Sequence, residues 1–232
     1  MSPVLDGGGP SGLPVPPSGL SATQEILLLA DNQLQDQTGV KWGPDRLIPY
    51  LNLGILEIIN LKPEAYPTTV PITLVAGPTQ NLPAGAIGLI DVVCNLDATG
   101  VIPQSVIRSV DKTAMDHLIP GWMTFTATAV VSYAILDPRD PHKFYVFPPA
   151  TGGNKVQAVI STPPGALADS DSTFPLDDSY RPAAVDYLIY RALAEETSQP
   201  NALAKSKDFY QAFLRDLGVK SASEQKQAVK GA

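Results

Sequence analysis

The chain has 232 residues, 44% of them hydrophobic, with 23 prolines and 18 glycines; a core can form, and proline plus glycine stays below the ~25–30% of a disordered low-complexity chain. A formal charge of −7 argues against a protein that grips nucleic-acid phosphates, though not against one that DNA slides past. No apolar run approaches the ~20 residues of a membrane span, a single cysteine, Cys94, excludes a disulfide framework or multi-cysteine metal site, and a charged share of only 17% fits a surface partly hidden against partners.

Residues 1–20 hold Pro3, Pro10, Pro14, Pro16 and Pro17 around Gly7-Gly8-Gly9. That stretch buries too little apolar surface to order itself and predicts a flexible arm; it has neither the basic start nor the apolar stretch of a secretory signal. Ser21 and Gln24 make a Ser-x-x-Gln capping box, predicting a helix to about Gln37 with Ile26, Leu27, Ala30 and Leu34 on its apolar side and Gly39 as its stop. Pro44 and Asp45 open a second helix carrying Leu47, Leu51, Ile55, Ile58 and Ile59 at helical spacing, closed by Lys62-Pro63. Pro49 predicts a kink in its first turns or a delayed start.

Strand signals follow. Thr69–Val75 alternates and stops at Ala76-Gly77-Pro78, Leu89–Cys94 is a mostly apolar run, and Val106–Val110 reads as one short strand before Asp111 caps a short helix ending near Leu118. Thr124–Leu136, rich in Thr and Val, reads as a strand, as do Lys143–Phe147 and Lys155–Ile160, with a double Asp-Pro turn at Asp137–Pro141 between. Asp177 or Asp178 then caps a helix with Pro182 in its first turn and Val185, Leu188, Ile189 and Leu193 on one face. Pro200 starts a last helix with Ala204, Phe209, Phe213, Leu214 and Leu217 inward, stopped by Gly218. The predicted fold class is α+β: a helical bundle built from the N- and C-terminal helices (21–65 and 176–218), a β-rich, sandwich or barrel-like centre (66–175) and an extended tail (219–232). The tail bears Lys220, Lys226 and Lys230 against Glu224, whereas Asp6, Glu25, Asp31 and Asp36 make the first forty residues acidic.

Chemical candidates are few. His117 and His142 are the two histidines; a metal at His142 would draw on Asp137 and Asp140, but Asp-Pro turns account for those aspartates structurally. Cys94 with a histidine would make a thiol-hydrolase pair, yet in an apolar strand a cysteine behaves as a small hydrophobe. Gly7–Gly9 lacks the Gly-Lys-Ser/Thr ending of a phosphate loop. Asp177-Asp178 could serve acid–base work or simply offset a helix dipole, and Trp42 and Trp122 read as packing anchors. No nucleophile, base and oxyanion hole come together, so no enzyme, cofactor or metal is predicted.

The run WGPDRLIPYLNLGILEIINLKPEAY at 42–66 resembles the adaptor (head-to-tail connector) proteins of tailed phages, especially short-tailed ones. The resemblance continues through TLVAGPTQNLP (73–83), IDVVCN (90–95), VDKTAMDHLIPGW (110–122), DPRDPHKFYVFPP (137–149), LDDSYRPAAVDYLIYRALAE (176–195) and FYQAFLRDLG (209–218). Each run is structural rather than catalytic; their order and spacing carry the specificity. Pro44 and Pro49 depart from the ordinary helix formers of such proteins, and the arm before Ser21 is not a feature of the resemblance.

The resemblance implies a structural virion protein at the neck, assembled in the host cytoplasm. It implies a ring, commonly of twelve copies, between the portal protein and a downstream tail or nozzle protein. DNA passes through its lumen without specific binding, and no membrane is involved. The helical bundle would form the ring beside the portal and the β domain would face the next tail component. The C-terminal tail, represented by Val219, Lys220, Lys226 and Lys230, would dock on the portal. Alternatives are another neck-ring component (a tail-completion or terminator protein), a small metal-dependent hydrolase, or a carbohydrate-binding β module.

Overall fold

The computed structural model describes residues 19–36, 39–137, 139–196 and 201–218. The predicted arm up to residue 18 and the tail from 219 lie outside them. The fold is α+β, with five α-helices and two four-stranded sheets among the described residues.

Helix α1 spans Ala22–Leu34 and opens with the predicted capping box: the Ser21 hydroxyl accepts the Gln24 N–H, and the Gln24 side chain accepts the Ser21 N–H. It ends earlier than predicted, at Gln35 in the left-handed conformation (φ 58°) rather than at Gly39. Asp36 supplies the cause, because its carboxylate accepts the N–H groups of Val40, Lys41 and Trp42 and turns the chain away. Helix α2, Pro44–Leu61, starts at Pro44 with no delay and keeps Pro49 inside it. Pro49 cannot donate to the Asp45 carbonyl; burial of Leu47, Ile48 and Leu51 on either side holds the turn helical. Gly54 serves close packing, since a Cβ there would lie 2.8 Å from Tyr187 Cδ1.

Helix α4, Arg181–Glu195, follows a 3-10 turn at Asp178–Tyr180 that Asp177 caps by accepting the Ser179 N–H. It contacts α1, α2 and helix α5, Ala202–Asp216. Ile26, Leu51, Ile55, Ile58, Leu188 and Phe213 are fully or nearly fully buried in one cluster shared by these four helices. Each such aliphatic side chain contributes roughly 1.5–3 kcal/mol by leaving water. Arg181 ties α1 to α4 by pairing with Glu25 at 2.6 Å. The segment 162–177 wraps this layer: Asn52 donates to the Leu167 carbonyl (3.0 Å) and accepts its N–H (2.8 Å), and Leu167, Phe174 and Leu176 enter the cluster. In α5 the predicted inward face is right at Phe213 and Leu217 but wrong at Ala204, which is exposed; Ala202 and Ser206 are buried instead. The predicted start at Pro200 lies outside the described residues, and Gly218 ends the helix at φ 66° as expected.

One sheet has the order β1-β8-β3-β4, with β1 Pro67–Thr73, β3 Gly88–Leu96, β4 Pro103–Val106 and β8 Lys155–Ser161. The other runs β2-β7-β6-β5, with β2 Gly77–Asn81, β5 Arg108–Asp111, β6 Tyr133–Leu136 and β7 Lys143–Ala150. All pairs are antiparallel except β5 with β6. One buried cluster draws Ile72, Val92, Val156 and Ala158 from the first sheet and Ala134, Phe144 and Val146 from the second. Alternate residues point the other way: Ile135 and Phe147 pack with Met115 of helix α3 (Lys112–Leu118) and Trp122 on the second sheet's outer face. Burial on both faces explains why β6 and β7 read as continuous apolar runs.

Several strand predictions need correction. The stop expected at Ala76-Gly77-Pro78 holds for β1, but Gly77 and Pro78 also begin an unexpected strand, β2, whose register shifts between Gly77 and Thr79 to accommodate the proline. Val106–Val110 is not one strand: the chain breaks at Ile107, which is buried and donates its N–H to Val93, so β4 and β5 join different sheets. Thr124–Leu136 is strand only from Tyr133. Thr and Val favour strands only when a partner edge is free, and residues 122–124 form a 3-10 turn instead. Strand β1 begins two residues earlier than predicted and ends at Thr73.

Candidate interaction surfaces

Nothing among the described residues gathers three or more metal-ligating side chains. The residues singled out in the sequence lie apart, each in a local structural role. His142 lines a cavity of about 550 Å³ with Asn60, Pro63 and Ile87, and its backbone N–H donates to Asp140. His117 sits in the last turn of α3. Cys94 is buried and its thiol donates to Gln157 at 3.4 Å. Asp178 pairs with Arg181 at 2.6 Å. Trp42 is buried beneath Arg46, whose guanidinium lies 4.9 Å from the ring centre, and Trp122 donates its indole N–H to Asp116 at 2.8 Å. Val219, Lys220, Lys226 and Lys230 lie outside the described residues.

What the fold assembles is surface suited to contact. The β3–β4 hairpin turns on Asp97, whose Oδ1 accepts the N–H groups of Gly100, Val101 and Ile102, each at 3.0 Å. The Thr99 hydroxyl also donates to this carboxylate, and the Asp97 N–H bonds the Ile102 carbonyl at 3.0 Å. These donors hold the Asp97 carboxyl well below the usual carboxylate range. Gly100 must be glycine-like, at φ 82° and with a Cβ position 2.8 Å from Lys155 Cδ. So the tip is braced, yet Val101 and Ile102 on it are 76% and 61% exposed and Val106 on β4 is 74% exposed. No residue from 98 to 107 is charged.

A pocket of about 400 Å³ opens elsewhere, with Leu89, Val110, Leu136 and Pro141 among its walls and Ser109, Asp111, Asp137, Asp140 and Lys143 around it. Every carboxylate of that rim is already engaged. Asp111 caps α3 by accepting the N–H groups of Thr113 and Ala114, Asp137 pairs with Arg139 at 2.8 Å, and Asp140 pairs with Lys143 at 3.0 Å. The Arg139 guanidinium lowers the Asp137 carboxyl to about 2. Asp137 and Asp140, both lowered, brace the double Asp-Pro turn as ionised side chains, a poor arrangement for proton transfer near neutrality.

Against known proteins, the family model for the SU10 adaptor protein matches residues 22–230. The chain belongs to the SU10 adaptor protein family. The match begins on the first residue of α1 and takes in every helix and strand described above. No curated protein matches the chain. The resemblance read from the residue runs therefore stands at family level: this is a phage adaptor, and the family implies a structural role at the virion neck, next to portal and tail proteins. No helix among the described residues is long and apolar enough to cross a membrane. The hairpin tip of the adaptor was missed in the sequence because Asp97-Ala-Thr-Gly100 lies between two strand-like runs. Its signal, an Asx-type turn with a glycine at the left-handed position, is present at 97–100.

Proposed function

We propose that the adaptor is one protomer of a ring of twelve copies, set between portal and tail and enclosing a conduit for DNA. The family match across 22–230 is the observation that carries this reading. In it, α1, α2, α4 and α5 act as a helical bundle (21–65 and 176–218) beside the portal. The two sheets, whose strands lie between Pro67 and Ser161 of the expected β-rich 66–175, form a sandwich turned toward the downstream tail or nozzle protein. The tail 219–232, through Val219, Lys220, Lys226 and Lys230, docks on an acidic groove of the portal.

Charge distribution supports the assignment. Residues 22–65 and 162–218 together carry a net −7, whereas 67–161 carry only −1. A lumen lined by the helical region would repel phosphates and keep the genome from sticking as it passes. A reconstruction of the virion neck tests the whole reading: a dodecameric ring beneath the portal is expected, and density for this chain elsewhere overturns it. Deleting 219–232 should abolish portal binding with an unchanged circular dichroism spectrum; undiminished binding removes the tail from the account. Portal binding should also weaken with added salt, because its attraction is between exposed charges.

A further inference from the structure

Residues 1–18 precede the family match, which starts at residue 22, so the family assigns them no role. The packing of the helices fixes where that segment joins the fold. Glu25 of α1 pairs with Arg181, the first residue of α4, so these two helices start together. Helix α2 runs the opposite way: Arg46 pairs with Glu195, Tyr50 lies against Arg191, and Gly54 meets Tyr187. Its last turn therefore comes to the start of α4 as well. Gly19, just ahead of α1, thus emerges at the end of the helical layer that adjoins the sheets. There the 3-10 turn Pro63–Ala65 touches α2 on one side and β3 and β8 on the other.

The cavity of about 550 Å³ opens at this junction. Asn60 and Pro63 line it from the helical side, and Ile87, Leu89, Pro141 and His142 from the sheet side. None of its lining residues is a lysine, arginine, aspartate or glutamate. The Asn60 amide and the His142 imidazole make no hydrogen bond among the described residues. The cavity therefore suits an uncharged, largely apolar guest that accepts hydrogen bonds.

We propose that residues 1–18 fold back onto this cavity of their own chain, with Leu13 to Pro17 as the anchor, and strap the helical layer to the sheets. Neighbouring helix axes lie about 8–10 Å apart and both α1 and α2 pack on α4, so the cavity is no more than roughly 20 Å from Gly19. Extended chain covers ~3.1 Å per residue, so Leu13, six residues before Gly19, reaches that far. From Gly7 to Gln24 the chain has no charge to bury, and Leu13 and Val15 offer apolar side chains. Pro14, Pro16 and Pro17 bring carbonyls without N–H groups, the complement of walls where Asn60 and His142 can donate. Their fixed φ also lowers the entropy lost on docking. The other terminal segment fits worse, because 219–232 would carry Lys220, Glu224, Lys226 and Lys230 to an uncharged cavity. This inference is independent of the ring reading.

The test is nitroxide relaxation in the full-length chain, with Cys94→Ala as background and the label on Ser11→Cys. The amide signals of Ile87, Gly88 and His142 should lose intensity, while that of Lys205, at the far end of the helical layer, should not. Adding Leu13→Asp/Val15→Asp should restore those signals by removing the apolar anchor, and the melting curve should match the parent's. Losses that persist in that variant would mean tethered proximity alone and overturn the proposal. So would the absence of any loss in the labelled chain. Mixing nitroxide-labelled chain of natural isotope abundance with enriched, unlabelled chain separates the two possible sources of the segment. Losses in the enriched chain would put a neighbour's segment in the cavity and overturn the fold-back; unchanged signals there support it.

Discussion

The helical layer and the paired sheets treat their carboxylates in opposite ways. In the helices, burial pushes Asp31 of α1 and Asp186 of α4 up to about 6, helped by the nearby negative charges of Asp36 and Asp216 respectively. In the β region, Asp97, Asp116, Asp137 and Asp140 are all lowered, chiefly by hydrogen bonds from side chains, with backbone N–H groups adding to Asp97, Asp137 and Asp140. The helical layer thus holds two carboxylates raised at a cost to its own stability, although Asp177 ahead of α4 is lowered by the Ser179 N–H, whereas these four β-region carboxylates are stabilised as anions where they stand. The difference follows function as proposed: helices that supply the acid lining of a conduit cannot pair every acid, whereas loops that present rigid contact surfaces must.

The largest effect should come from the helical core. Phe213 is fully buried and packs edge-on to Tyr187, 5.3 Å between ring centres, and against Tyr210. Phe213→Ala should cost about 3–5 kcal/mol of unfolding free energy, measured by urea denaturation. Hydrogen exchange in that variant should show lost protection in α4 and α5 with β8 unchanged. Equal loss in both would mean that the two regions open as one unit and would break the comparison.

Next is the polar knot of the sheets. Asn95 is buried, donates to the Val131 carbonyl (2.8 Å) and to Ser105, and accepts the Val131 N–H (3.0 Å). Asn95→Ala strands the Val131 N–H and carbonyl between the two sheets, for an expected loss of roughly 2–3 kcal/mol. That loss should appear first in β4 and in residues 129–132.

A smaller effect, opposite in sign between regions, is expected from pH. Asp31 and Asp186 bind a proton more tightly in the folded chain than in the unfolded one, so stability rises as pH falls from about 7 through 6 toward the ordinary carboxylate range near 4. The lowered β-region carboxylates do nothing in that window and cost stability only below it. Both helical groups keep partial solvent access, which screens the gain. Asp31→Asn should raise the neutral-pH melting temperature and flatten its dependence between pH 7 and 5; an unaltered slope would show that Asp31 is not one of its sources.

Much of this was legible in residues because helix signals are local. The Ser21–Gln24 box, the spacing of Leu47 through Ile59 and the Asp111 cap each depend on neighbours within a few positions, and the structure keeps all three. Strand signals depend on which edge is free. Val106–Val110 looks like one strand by composition, and only the two-sheet arrangement shows that Ile107 must turn inward between them. Gly77-Pro78 looks like a stop until β7 offers it an edge. The hairpin surface was hidden for the same reason, since the exposure of Val101 and Ile102 follows from a turn that projects beyond the sheet rather than from their type.

The smallest and most local expectation concerns that turn. Asp97 is held ionised by Thr99 and by N–H groups of the tip, so the folded form gains from its charge above the ordinary carboxylate range, and that gain declines steadily as acid is added below that range. Asp97→Ala removes the acceptor from Gly100, Val101 and Ile102 together. Their amides should then exchange faster while those of β8 hold, because the antiparallel pairing of β3 with β8 does not pass through Asp97. In the parent chain, tip protection should survive acidification to pH 4. Faster exchange across β3 and β8 as well would make the hairpin part of the sheet's cooperative unit rather than a separately braced projection, and the contrast between a stiff contact surface and an acid-strained helical layer would lose its sharpest local element.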